Sequence, residues 1–139
     1  MGKQTRFAVS VRAFAEKTGA RMDTVVRKVT LELFKRVVLR SPVDTGRFRG
    51  AWEVMIGGAV VKGGTIPALD KTGASTILAA ATAVRSIQAG QQATILNRLP
   101  YGPRLEDGWS KQAPAGMVAL ALVEFSGIVS VAASEARRG

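Results

Sequence analysis

Between about Ala20 and Arg40 the apolar residues recur at helical spacing. At 100° per residue Met22, Val26, Val29, Leu33 and Val37 form one stripe with Phe34 beside it, while Arg21, Lys28, Glu32, Lys35 and Arg36 fall opposite. The pattern predicts an amphipathic helix of about six turns. Glu32 stands within reach of Lys28 behind it and Arg36 ahead of it, and Arg36 and Arg40 suit the negative end of the helix dipole. The charged side has two readings, a solvated face or a docking face for something acidic. Upstream, Phe7, Val11, Phe14 and Ala15 keep helical spacing and Gly19 offers a stop, so a short helix is expected over about 7–18, with residues 1–5 frayed.

Downstream the period changes. Ala51 to Ile56 reads as a strand, with Gly57-Gly58 as a bulge or turn, and the Gly-rich run that follows as a mobile surface loop over about 57–75. Ser75 to Gln88 is alanine-rich, opens on capping residues and reads as a helix packed through Ile77, Ala80, Ala81, Val84 and Ile87. Gln92 to Arg98 reads as a second strand, ended by Pro100. A helical turn is expected around Arg104 to Asp107. Pro114-Ala115-Gly116 then restarts a helix that carries Met117, Leu120, Ala121, Val123, Glu124 and Ile128 to about Ala136, with Gly127 as its weak point. The expected fold class is α+β: a long N-terminal amphipathic helix packed with a small antiparallel or mixed sheet and a C-terminal helix, in one domain spanning 1–139.

The chain reverses where the long helix stops. Pro42 pushes Ser41 out of the α region, Gly46 and Gly50 permit backbone angles that other residues avoid, and Asp44 and Thr45 can close a compact turn on nearby N–H groups. Arg47, Phe48, Arg49 and Trp52 then place two cations and two aromatics within six residues, in a chain with eight aromatics in all. They either seat the first strand on the helix or form a contact surface, since Arg and Trp anchor interfaces.

Composition narrows the chemistry. The formal net charge is +10, and residues 1–49 hold twelve of the twenty cations against four of the ten acids. Such an excess calls for a polyanionic neighbour without choosing among nucleic acid, membrane and acidic protein. The absence of Cys excludes disulfides and thiolate metal sites, and the absence of His removes the commonest general base and metal ligand. No cofactor, metal or catalytic set is expected. No apolar run reaches membrane-spanning length, so the expectation is a protein soluble and intracellular when made. Asp70-Lys71-Thr72-Gly73 resembles the phosphorylated motif of ion-pumping ATPases, but that chemistry needs transmembrane helices and a nucleotide domain for which 139 residues leave no room.

Two segments carry a more specific resemblance: Ser41-Pro42-Val43-Asp44-Thr45-Gly46-Arg47-Phe48-Arg49-Gly50, and Tyr101-Gly102-Pro103-Arg104-Leu105-Glu106-Asp107-Gly108 followed by Ala113-Pro114-Ala115-Gly116-Met117. In order and spacing they are similar to the tail-completion, or neck, proteins of long-tailed bacteriophages, the family that includes minor tail protein Z of phage lambda. Phe48 stands where Leu is frequent, Gly102 where Ala is, and Pro103 is additional. The resemblance implies an α+β virion protein without enzymatic activity, made in the host cytoplasm. It would assemble as a ring of six subunits that joins the tail terminator to the head connector or stopper and surrounds the path of the genomic DNA. It makes Arg47, Phe48, Arg49 and Trp52 in the first motif, and Tyr101, Arg104, Glu106, Trp109, Lys111 and Met117 in the second, candidates for the assembly interface. The other reading of the charge is a stand-alone basic nucleic-acid-binding protein, although the cations alternate with Glu32 and lack an interleaved aromatic platform.

Overall fold

The computed structural model describes residues 5–9, 21–43, 46–57, 59 and 60, 69–88, 91–97, 99 and 118–138. In chain order these form strand β1 (Thr5–Val9), helix α1 (Met22–Arg40), the single-turn helix α2 (Arg47–Gly50), strands β2 (Trp52–Ile56) and β3 (Ala59–Val60), and helix α3 (Ala74–Ala83). A 3-10 turn (Val84–Ser86), strand β4 (Ala93–Asn97) and helices α4 (Val118–Val123) and α5 (Phe125–Arg138) follow. The class is α+β, as the patterning leads one to expect.

The four strands make one antiparallel sheet in the order β1-β4-β2-β3. β4 is therefore central: Asn97 pairs with Thr5 on one side and Trp52 on the other, and Ala93 with Val9 and Ile56. In β2 Trp52, Val54 and Ile56 are buried and alternate with the half-buried Glu53 and Met55, as a strand with one face on a core requires. α1 lies over this core. Val25, Val26, Val29, Leu33, Phe34, Val37 and Val38 are all buried, a wider face than the single stripe read from the sequence, because α3 and its 3-10 turn pack on one flank of α1 and α5 packs on the other.

Three expectations are corrected. Residues 7–9, expected to begin a helix, are strand, since β4 offers their backbone a five-residue antiparallel ladder that the spacing of Phe7, Val11 and Phe14 does not reveal; the remainder of that expected helix, 10–18, lies outside the described residues. Gly57 forms a turn, with Ile56 opposite Ala59, but it leads into β3 and not directly into a loop; Gly58 lies outside the described residues. The C-terminal helix is interrupted at Glu124 and not at Gly127, which sits inside α5: the Glu124 N–H reaches back only three residues, to the carbonyl of Ala121, before α5 resumes.

Candidate functional site

The turn after α1 is built around buried, hydrogen-bonded polar groups. Ser41 is 2% exposed; its hydroxyl donates to the Val37 carbonyl at 2.6 Å and accepts the Trp52 indole N–H at 2.7 Å. That bond fixes the end of α1 to the start of β2. Phe48 and Trp52 are both buried and meet edge to face, with ring centroids 5.8 Å apart at 76°. The fully buried Asn97 amide donates to the Phe48 carbonyl at 2.8 Å while its oxygen accepts the Leu99 N–H at 3.1 Å, so the central strand also holds the turn. Of the two readings left open for Phe48 and Trp52, the structure gives the seated one: these aromatics are part of the hydrophobic core. Gly50 is part of α2 and does not have positive φ, unlike Gly46 at +88°.

Arg49 is the clamp. One guanidinium nitrogen donates to the carbonyl of Lys71 at 2.7 Å, and another to those of Leu39 at 3.1 Å and Ser41 at 2.8 Å. A single side chain thus supplies donors to carbonyls at the C-terminal end of α1 and to the segment that precedes α3. Burial lowers its pKa, with the charge of Asp70 acting in the opposite direction. Arg47, by contrast, is exposed.

Asp70 completes the junction. One of its oxygens accepts the Thr76 N–H at 2.9 Å and hydroxyl at 2.7 Å; the other accepts the Gly73 N–H at 3.0 Å and the Thr72 hydroxyl at 3.4 Å. The Thr76 N–H is one of the donors that the first turn of a helix leaves open. The cap of α3 therefore comes from Asp70 upstream and not from Ser75, and the helix begins at Ala74. Burial would raise the Asp70 carboxyl, but the bonds from Thr76, Gly73 and Thr72 outweigh it and hold the group below the usual carboxylate range. The resemblance of Asp70-Lys71-Thr72-Gly73 to a phosphorylated motif is thus answered by a capping geometry that occupies both carboxylate oxygens.

The basic side of α1 is largely engaged within the protein. Arg27 donates to the Ile87 carbonyl at 2.7 Å and stands 3.7 Å from Asp23. Arg36 pairs with Glu32 at 3.2 Å, as the spacing predicts, and with Glu124 at 2.7 Å; Arg40 also binds Glu124. Lys28 turns away from Glu32 and meets Glu135 of α5 at 3.3 Å. Lys28, Glu32, Arg36, Glu124 and Glu135 line a groove of about 700 Å³ between α1 and the C-terminal helices, with Val123 and Val131 exposed at its edge.

Glu124 is held at a pKa of about 2, first by its bond from Arg40, against a desolvation effect that would raise it, and then by Arg36. A carboxylate depressed on folding stabilises the native state above its ordinary value near 4.5, and that contribution disappears as the pH falls toward about 2. Thermal melts of Glu124→Gln should accordingly lie below those of the wild type at neutral pH and converge with them in this acid window. A gap that stayed constant down to the lowest pH would show that Glu124 acts by shape and not by charge.

Of the residues proposed for assembly, the structure brings Arg47, Phe48, Arg49 and Trp52 together with α1 and the Asp70 segment. Tyr101, Arg104, Glu106, Trp109, Lys111 and Met117 lie outside the described residues. The roles of Ser41, Asp70 and Asn97 escaped the sequence reading, though a lone Asp three residues before the glycine that opens an alanine-rich helix is a visible capping signal. Among the described residues no group of acids is arranged to hold a metal ion, and no helix is long and apolar enough to cross a membrane. No family model, no curated protein and no solved structure matches the chain.

Proposed function

We propose that this chain is a structural protein of the neck of a long-tailed phage virion, a ring subunit at the head-proximal end of the tail that links tail terminator to head connector or stopper around the DNA path. The observation that carries the reading is the position of its most specific motif. Ser41 to Gly50 lies where α1, α2, β2, β4 and the start of α3 are joined through Ser41, Arg49, Asp70 and Asn97. A motif used in this way serves to set the shape of a subunit, which is what ring assembly demands of its parts.

The second reading, a stand-alone nucleic-acid-binding protein, has the net charge of +10 in its favour. Against it, Arg27, Lys28, Arg36 and Arg40 already face Asp23, Glu32, Glu124 and Glu135, which removes most of the field that α1 would present to a phosphate backbone. Mass measurement and negative-stain images of the purified protein, alone and mixed with tail tubes, separate the two. The neck reading expects rings or capped tube ends and little affinity for DNA. Tight DNA binding that falls steeply with salt, with no ring on any tube, would replace it with the second reading.

A further inference from the structure

We infer that the groove between α1 and the C-terminal helices is the contact face of a two-fold dimer, in which Val131 of each copy enters the groove of the other beside Gly127. The inference goes beyond the neck reading and does not depend on it. Its first support is shape. Val123, Gly127, Ile128, Val131 and Ala132 line this one groove, so they belong to a single surface. Val123 is 81% exposed and Val131 58%. Glu124, next to Val123, is bound by Arg36 and Arg40, so the backbone that presents this valine is fixed before any partner arrives. At Gly127 the groove is open: no atom lies within 4 Å of the place a Cβ would take. Val131 follows about one helical turn later in α5. A projecting side chain and an opening one turn apart on the same helix are self-complementary. When two copies of α5 run antiparallel, Val131 of each meets Gly127 of the other, and the same contact forms twice.

The second support is charge, and it selects a second copy over other occupants. Glu32, Glu124 and Glu135 line the groove with Lys28 and Arg36, and Arg40 stands on Glu124. Three acids and three cations cancel there, each within an ion pair of the protein itself: Lys28 with Glu135, Arg36 with Glu32 and Glu124, Arg40 with Glu124. The net +10 of the chain therefore lies on the rest of its surface. Two identical basic molecules repel through such a surface, and a neutral face with an apolar floor is where they can meet. A phosphate backbone would find these cations already answered and three carboxylates beside them. An anionic bilayer would meet the same carboxylates in place of the cationic rim by which amphipathic helices bind it.

Analytical ultracentrifugation of the full chain tests this. A single contact of this size sits at the small end of stable interfaces, so the protein should be dimeric at about 100 μM and monomeric near about 1 μM. Raising sodium chloride from about 50 to about 500 mM should increase the dimer fraction, because salt screens the repulsion between copies and spares the apolar contact. Val131→Gln and Gly127→Gln should each weaken association at least about tenfold, with circular dichroism unchanged, since both positions are exposed. The chain has no cysteine, so Val131→Cys with a short bismaleimide should give a covalent dimer, and Leu78→Cys, exposed on α3 at the other flank of α1, should not. A monomer at about 100 μM, a dimer that dissociates as salt rises, indifference to either glutamine substitution, or equal crosslinking at both cysteines would overturn the inference. Rings on tail tubes that form equally well from Val131→Gln and a wild type that never dimerises would sink this proposal and leave the neck reading standing. The dimer without rings would do the reverse.

Discussion

Trp52→Ala should cost about 3–5 kcal/mol of folding stability, the range for truncating a large aromatic in a packed core, and lower the melting temperature by on the order of 10 °C or more. The side chain is 3% exposed, lies edge to face on Phe48 and donates its indole N–H to Ser41. Its removal opens a cavity where the end of α1, α2 and the first residue of β2 converge, and takes from the Ser41 hydroxyl the donor it accepts. Trp52→Phe keeps most of the volume and isolates the hydrogen bond, so its cost should be nearer to about 1 kcal/mol. Chemical denaturation of both variants checks the division. A loss below about 1 kcal/mol for Trp52→Ala would mean that the indole is not core and would reopen its assignment to a contact surface.

Gly46→Ala should be nearly as damaging, for a different reason. Gly46 has φ +88°, and a Cβ placed there would lie 2.6 Å from the Lys71 nitrogen and 2.7 Å from backbone atoms of Asp70. Backbone cannot swing aside as a flexible side chain can. The left-handed conformation alone costs a non-glycine residue about 1–2 kcal/mol; separating the two segments would also break the bond between Asp70 N–H and the Gly46 carbonyl and disturb the cap of α3. Gly57 supplies the control. It too has positive φ, +62°, but the nearest atom to its would-be Cβ is the Gln91 side-chain amide at 3.8 Å. Gly57→Ala should therefore show the conformational cost alone, and Gly46→Ala a total larger by about 2 kcal/mol or more, in line with other backbone-strain substitutions. Equal losses in the two variants would rule out the close approach of residues 46 and 70 as the cause.

Both expectations concern the segment that the sequence marks most clearly, and the structure shows which parts of that signal were local. The reversal after Arg40 is legible because Pro42 and Gly46 act on their own backbone. The identity of the clamp is not. Arg49 and Arg47 are equivalent as letters, two residues apart in one short helix, yet Arg49 reaches three carbonyls while Arg47 is exposed. Which arginine turns inward depends on where Lys71 lies, 22 residues away, and no local pattern encodes that distance. The same holds for Glu124, whose place between α4 and α5 says nothing of Arg36 and Arg40 on α1.

What the sequence determines by itself is therefore what depends on near neighbours: the long amphipathic helix, the alternating strand from Trp52 to Ile56, the alanine-rich helix, the turn between the first two, and the α+β class they imply. Tertiary structure alone decides the strand at Thr5–Val9, which exists through its ladder with β4, the break at Glu124, and the inward side of the charged groups, where Asp70 caps α3 and Arg49 joins α1 to it. The physical reason is range. Backbone angles and helical or strand period act over a few residues and are written in order along the chain. A hydrogen bond or ion pair, in contrast, acts between groups that only the folded backbone brings within about 3 Å.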